Sequence, residues 1–327
     1  MPLDSDQIVD RRRMRRKLTF WRVATIAVAV LTVIAVAALS TRSAGLPGIQ
    51  TGSIARIKIS GLIRTDQDRT DALDRLAKSS ARAVIVHIDS PGGTTAGAEQ
   101  LHNALLKLKQ SKKPLVVVVD GLAASGGYMA AITGDHIIAQ QSSLVGSIGV
   151  LFQYPNFTEL LKTVGVKVEE IKSSPLKAAP NGFEPTSPEA RAAIEAIVMD
   201  SYAWFKGMVR DARKLDDAAL ERVADGRVFT GRQALSLKLV DELGNEQTAI
   251  AWLSKERNID PKTPVRDYSL RPRLRDLSFL HVTAAFVFDS VGLTSLARKI
   301  EDTGAMRAID RLNLDGLLAL WHPVAGH

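Results

Sequence analysis

The sequence predicts an α/β protein built on a mainly parallel sheet and preceded by one membrane-spanning helix. Three observations carry this. Apolar, β-branched runs alternate with helically spaced stretches from residue 54 to residue 139. A charge-free apolar run follows a basic block near the N-terminus. Ser187-Pro188-Glu189 opens a further long helical stretch. Strands that alternate with helices of this length build βαβ units, and those units give parallel sheets.

Residues 23–39 form 17 positions without charge, and only Thr25 and Thr32 are polar. That length is at the short end of the range for a spanning helix. Arg11, Arg12, Arg13, Arg15, Arg16, Lys17 and Arg22 precede the run, whereas only Arg42 follows it closely. Phe20 and Trp21 supply interfacial rings at the basic end. Positive-inside asymmetry puts the N-terminus in the cytosol and everything beyond residue 40 outside it. This describes a single-pass membrane protein with an extracytoplasmic domain. A cleaved signal peptide is the competing reading, because residues 37–40 are small. The apolar stretch is longer than a usual signal-peptide core, which favours the anchor. The basic block then reads as a membrane flank, and no nucleic-acid partner is expected.

The predicted organisation follows. Residues 1–22 are a basic cytosolic segment, 23–40 the anchor, 41–53 a linker, 54–262 the main domain and 263–327 a C-terminal extension. The alternation at 54–59 predicts a strand, and 70–77 a helix. A buried strand at 83–88 ends at Asp89-Ser-Pro-Gly-Gly. A helix over 96–108 buries Ala98, Leu101, Leu105 and Leu108 and leaves His102 on its solvated side. The strand from Pro114 stops at Asp120-Gly121, a turn carries Ser125, and a helix runs from Tyr128 to Ile132. Residues 136–139 are a short strand, and 166–171 look strand-like. Ser187 as N-cap and Pro188 at the first helical position start a helix that runs to about residue 213. Arg271, Arg273 and Arg275 then mark a change in character. Residues 277–296 are apolar but interrupted by His281, Asp289 and Ser290. They read as an amphipathic helix on a membrane or a partner subunit, or as a plain core helix.

With 327 residues, 46% of them hydrophobic, the chain can bury a sizeable core. It has no cysteine, which excludes disulfides, thiolate metal sites and a cysteine nucleophile. No cofactor and no metal is expected. The most informative stretch is Asp120-Gly-Leu-Ala-Ala-Ser125-Gly-Gly-Tyr. Small residues flank the serine where a strand gives way to a helix, so a peptide can approach the hydroxyl. The glycines free local N–H groups to face a developing oxyanion. A serine nucleophile needs a base. His87 lies within an apolar strand as a satisfied core histidine, and neither His102 nor His136 stands in a triad motif. A Ser-His-Asp arrangement stays open because triads have no fixed sequence signature. Lys177, among Pro175, Leu176 and Ala178, is the alternative. A lysine base at neutral pH needs its pKa lowered from about 10.4 to about 7–8, which an apolar setting favours.

Taken together, Asp89-Ser-Pro-Gly-Gly, Ala124-Ser125-Gly-Gly-Tyr, Val145-Gly-Ser147-Ile-Gly-Val and the Lys177 loop resemble the short, single-repeat form of signal peptide peptidase A. Gly226-Arg-Val-Phe-Thr-Gly-Arg and Leu239-Val-Asp-Glu-Leu-Gly extend the resemblance, which covers roughly residues 54–257. It implies a crotonase- and Clp-protease-like fold and a Ser-Lys serine endopeptidase. Ser125 resembles the nucleophile, Lys177 the general base, and Ser147 the serine that orients the lysine. Gly92, Gly93 and Gly126 are the candidate oxyanion donors. The resemblance also implies a homo-oligomer whose sites are shared between subunits at the bacterial inner membrane, acting on remnant signal peptides. A related protease acting on other membrane or misfolded proteins, or a crotonase-like acyl-CoA enzyme, are the alternatives. Lys238 replaces a usual glycine and Leu176 a usual aromatic, departures that bear on pocket shape.

Overall fold

A computed structural model describes residues 52–270 and 318–320. The strands are β1 (Ile54–Ser60), β2 (Ala83–Ser90), β3 (Gly92–Thr94), β4 (Leu115–Ala124), β5 (His136–Ala139), β6 (Leu144–Gly146), β7 (Val228–Thr230), β8 (Glu242–Leu243), β9 (Val265–Asp267) and β10 (Leu318–Leu320). The helices are α1 (Gln67–Ala77), α2 (Thr95–Gln110), α3 (Gly126–Ala131), α4 (Thr158–Thr163), α5 (Pro188–Arg213), α6 (Asp217–Val223), α7 (Gly231–Ser236) and α8 (Glu246–Arg257). The main sheet runs β7-β6-β4-β2-β1-β9, and β5 and β8 branch from β4. Every pairing in it is parallel except β6 with β7.

The sequence explains the layering. Residues 83–86 of β2 and 115–119 of β4 are buried without alternation, as in a parallel strand covered on both faces. On one face α1 brings Leu73 and Leu76, and α2 brings Leu101, Leu105 and Leu108, all buried. On the other, Ala249 and Leu253 of α8 pack with Ile54, Ile85, Val116, Val118 and Ile138. Burial of each leucine contributes about 1.5–3 kcal/mol. The helices start where their caps predict. Asp66 accepts from Arg69 N–H, Thr94 from Gly97 N–H and Ser187 from Ala190 N–H. Pro188 opens α5, which ends at Arg213, the end expected from the sequence.

Four expectations need correction. β4 does not stop at Asp120-Gly121 but runs on to Ala124. Ile88 pairs with Val119, yet Ser90 pairs with Ala123, so β4 bulges between the two rungs. The glycine marks that irregularity and not the strand's end. His102 is buried, not solvated. Residues 166–171 form no strand, because no neighbouring strand pairs with them. The sheet also continues past residue 262. β9 pairs with β1, Tyr268 N–H donates to Arg56 C=O at 2.7 Å, and Tyr268 Oη donates to Ala72 C=O at 3.1 Å. The predicted anchor and the 277–296 segment lie outside the described residues. Among the described residues no helix is long and apolar enough to cross a membrane.

Candidate active site

Three adjacent parallel strands bring the sequence motifs to one end of the sheet. Ser90 of β2 pairs with Ala123 of β4, and Ala124 pairs with Gly146 of β6. Ser125 and Ser147 therefore leave neighbouring strands one step past the same rung, and the Gly92-Gly93 loop leaves the strand beyond. In open α/β sheets the carboxyl ends of the strands are where ligands bind.

Ser125 is 1% exposed and turns the chain at φ 54°, ψ −119°. A positive φ is unusual for a residue with a side chain, and such strain collects at functional turns. The surroundings hold it there. Ser125 N–H donates to Gly146 C=O at 2.7 Å, and Ser125 C=O accepts from Met129 N–H at 2.9 Å. α3 is anchored behind it. The buried Tyr128 hydroxyl donates to Leu239 C=O at 2.8 Å, and burial pushes its pKa up. His102 Nδ1–H donates to Met129 C=O at 2.7 Å, and burial lowers the imidazole pKa. Ser147 also has a positive φ, 52°, and its N–H donates to Arg227 C=O at 2.8 Å.

The glycine loop is set by backbone pairing. Ile63 N–H donates to Gly92 C=O at 2.8 Å, and Thr94 N–H donates to Ile63 C=O at 2.9 Å. The residue between them, Gly93, therefore turns its own N–H and C=O to the opposite edge. A side chain at Gly93 would put Cβ 1.7 Å from the Ile63 carbonyl oxygen, so only glycine fits. Gly92 N–H is already engaged, donating to Ser90 Oγ at 3.1 Å, while Ser90 Oγ donates to Gly61 C=O at 2.7 Å. Of the two candidates, Gly93 is the one with an N–H directed away from the loop's own pairing. Gly126 is the first residue of α3, where an N–H has no intrahelical acceptor. Sequence reading passed over Ser90, although a serine two residues before a glycine is a recognisable turn former.

The described histidines do not complete a triad. His87 meets Asp120 Oδ1 through Nδ1 and Glu246 Oε2 through Nε2, both at 2.8 Å, as expected of a satisfied histidine. The Arg56 guanidinium, hydrogen-bonded to Glu246, holds that carboxyl below its usual range. His136 Nε2 meets Glu242 Oε2 at 3.0 Å, and the ring stacks on Trp252. No hydrogen bond joins Ser125 Oγ to His87, His102 or His136.

Lys177 sits elsewhere, in the segment between β6 and α5. It is exposed, its N–H donates to Ser174 C=O at 3.1 Å, and it makes no hydrogen bond to Ser125 or Ser147 within the chain. Two clasps shape the segment around it. Phe157 N–H donates to Gly182 C=O at 2.8 Å, and Lys172 Nζ bridges Glu170 and Glu184 at 2.6 and 2.5 Å. Those two carboxylates raise the Lys172 pKa. The same segment exposes Phe157, Leu160, Val164, Val166, Ile171 and Phe183.

With this geometry in view, residues 107–260 match peptidase family S49. The chain is 34% identical over 245 residues to slr0021 of Synechocystis, a protease by provisional name, an alignment covering 74% of this chain and 88% of that one. It is 28% identical over 232 residues to an Enterococcus faecium protein provisionally named signal peptide peptidase SppA, covering 67% of each. Protease 4 of Haemophilus influenzae is 29% identical over 227 residues, 66% of this chain and 37% of its own length. The chain belongs to peptidase family S49. A solved Listeria monocytogenes ClpP1 mutant overlays 58% of this chain and 91% of its own at a TM-score of 0.40 and 15% identity, a likeness too loose to bear on the fold.

Proposed function

We propose that this chain is a membrane-anchored serine endopeptidase with a Ser125–Lys177 dyad, and that it degrades remnant signal peptides from the extracytoplasmic side of the membrane. Membership of family S49 supports the peptidase reading. The observation that carries the site is the shared rung. Ser125 and Ser147 leave β4 and β6 together, with the Gly93 N–H beside them on the loop after β2. A peptide carbonyl lying over Ser125 meets the Gly93 and Gly126 N–H groups, which stabilise the oxyanion as it forms. Neutral Lys177 takes the Ser125 proton as the Oγ–C bond forms, then gives it to the departing amine. A water resolves the acyl-enzyme by the same route reversed. Ser147 orients the lysine.

Lys177 is exposed in the single chain, and burial is what disfavours the charged form of a lysine. Burial by a second copy of the chain supplies the missing desolvation, so the proposed enzyme is a homo-oligomer with sites shared between subunits. The apolar segment around Lys177 is the surface such a copy would cover. The crotonase- and Clp-like architecture belongs to the same reading.

The test uses the full chain in detergent with a fluorogenic signal-peptide substrate. Ser125→Ala and Lys177→Ala each lower kcat by about 10⁴-fold or more, the scale seen when a catalytic nucleophile or base is removed. Undiminished cleavage by either variant removes the dyad.

A further inference from the structure

Ser143 is buried and takes no part in the steps above. It is the last residue of the turn that joins β5 to β6. Its hydroxyl donates to two successive carbonyls of β4, Asp120 C=O at 2.9 Å and Val119 C=O at 3.1 Å. The same oxygen accepts from Gln140 N–H at 3.2 Å. A hydroxyl has one proton, so the two carbonyls share it. In a regular strand neighbouring carbonyls point to opposite edges. Two that converge on one hydroxyl mark the place where β4 leaves strand geometry, and that place is the bulge. β4 runs beside β5 as far as Val119 and beside β6 from Leu122. Ser143 fills the step between these two neighbours. The Asp120 side chain is tied separately, to His87 Nδ1 at 2.8 Å, but it is 44% exposed. The Ser143 clamp is the one shut away from water.

We propose that Ser143 is a positioning residue for the Ser125 nucleophile, acting through the bulge. The inference rests on the reading of Ser125 given above. β2 takes two steps from Ile88 to Ser90, and β4 takes four from Val119 to Ala123. β4 therefore uses two extra residues, about 6–7 Å of extended chain. Without them Gly121 would pair with Ser90, and Ser125 would leave the sheet that much further on. With them Ser125 stands two residues past the rung of Ser90 and Ala123, as Gly92 does on its own strand. The bulge thus draws the nucleophile level with the glycine loop, and bulges beside active sites re-aim side chains in this way. Two extra residues, and not one, also keep each side chain on its own face of the sheet. Residues in a bulge leave the ladder, and their buried carbonyls need another donor. Ser143 supplies it from the same short stretch that leads through β6 to Ser147. A reacting group misplaced by about 1 Å can cost 10²-fold in rate. The clamp therefore bears on kcat and leaves substrate binding alone. Satisfying buried carbonyls with no bearing on Ser125 is the purely structural alternative, and it makes different kinetic predictions.

The decisive variant is Ser143→Ala in the full chain, which removes the shared proton and little else. Assayed well below its urea midpoint on the fluorogenic signal-peptide substrate, it loses about 10- to 100-fold in kcat, with KM within twofold of wild type. Binding of labelled substrate in a Ser125→Ala background, read by fluorescence anisotropy, is the same with and without Ser143→Ala. The pH at half-maximal kcat also stays in place, because the clamp touches the nucleophile and not the base. Ser143→Cys keeps the volume and offers a weaker donor, so its kcat falls by about three- to tenfold. Should the alanine variant fail to fold, the cysteine variant carries the same measurements. Wild-type kcat in folded enzyme lacking the hydroxyl overturns the proposal, since a purely structural serine costs stability alone. A rise in KM with kcat unchanged, or a displaced pH profile, overturns it as well. Cleavage that survives Ser125→Ala overturns the protease reading instead. Cleavage lost there but undiminished in both Ser143 variants overturns this inference and leaves that reading intact.

Discussion

The two halves of the proposed site are built in opposite ways. Ser125 lies at the end of a strand inside a parallel sheet, 1% exposed, with its backbone bonded on both sides. Lys177 lies in a segment where Leu160, Val164 and Ile171 are 58%, 61% and 106% exposed. The first half is complete when the chain folds. The second leaves several large apolar side chains in water, and a contiguous patch of that kind is a feature of interaction surfaces. On the proposed mechanism the difference teaches where control resides: the nucleophile would be fixed by folding, and the base by association.

Mixing inactive variants tests that division most severely. If Ser125 and Lys177 meet across a subunit boundary, co-refolded Ser125→Ala and Lys177→Ala chains form some sites with both groups intact. A random one-to-one mixture of two such protomers restores about a quarter of wild-type sites. The recovered rate on the fluorogenic substrate reports it directly. No recovery above the separate variants, in particles that sedimentation shows to be mixed, would mean that the lysine acts within its own chain.

Glycine substitutions sharpen the same contrast at the level of stability. At Gly93 an added Cβ lies 1.7 Å from the Ile63 carbonyl oxygen, a backbone atom that cannot swing aside. Gly93→Ala therefore destabilises the fold by about 3 kcal/mol or more, the scale of severe core strain. At Gly165, in the Lys177 segment, φ is +73° and no atom lies within 4 Å of the added Cβ. Gly165→Ala meets only the backbone penalty, about 1–2 kcal/mol. Urea midpoints of the two variants rank them. Equal losses would show the segment to be as tightly packed as the sheet.

The same contrast governs what could be read from the sequence. Asp89-Ser-Pro-Gly-Gly, Ala124-Ser125-Gly-Gly and Val145-Gly-Ser147 were legible because each is a local turn with its own chemistry. The strands under them were legible because short, β-branched apolar runs bounded by turn residues favour a strand buried on both faces over a helix. What failed depends on contacts distant in sequence. The bulge after Val119 exists because β2 and β4 cross it at different rates, which no single strand reveals. His102 follows Leu101 on α2, and its burial comes from Met129, 27 residues on. Residues 166–171 have strand-like side chains but no strand beside them. Glu246, which holds His87 and Arg56 together, lies 159 residues from that histidine, and no motif links the two. The preference for Gly93 over Gly92 in the proposed site also needed the fold, since it rests on which N–H Ser90 already uses.

The smallest effect concerns acid. His102 supports α3 through Met129, and burial, set against the Met129 bond and Glu99, lowers its pKa below the usual histidine value. The unfolded chain therefore binds this proton more readily than the folded one. The stabilisation is fully present above about pH 6.5, the unfolded value, and is lost as pH falls below it. His102→Gln keeps a donor of similar reach but cannot be protonated. At pH 7.5 the variant is less stable than the wild type by about 1 kcal/mol, one imperfectly replaced hydrogen bond. At pH 5.5 that gap narrows, because only the wild type bears the proton. Urea midpoints at the two pH values measure both gaps. Since α3 begins directly after Ser125, this loosening reaches the nucleophile's turn and bypasses the Lys177 segment. A gap that stayed constant with pH would mean that the imidazole is solvated after all, and that the serine half is packed less tightly than its 1% exposure implies.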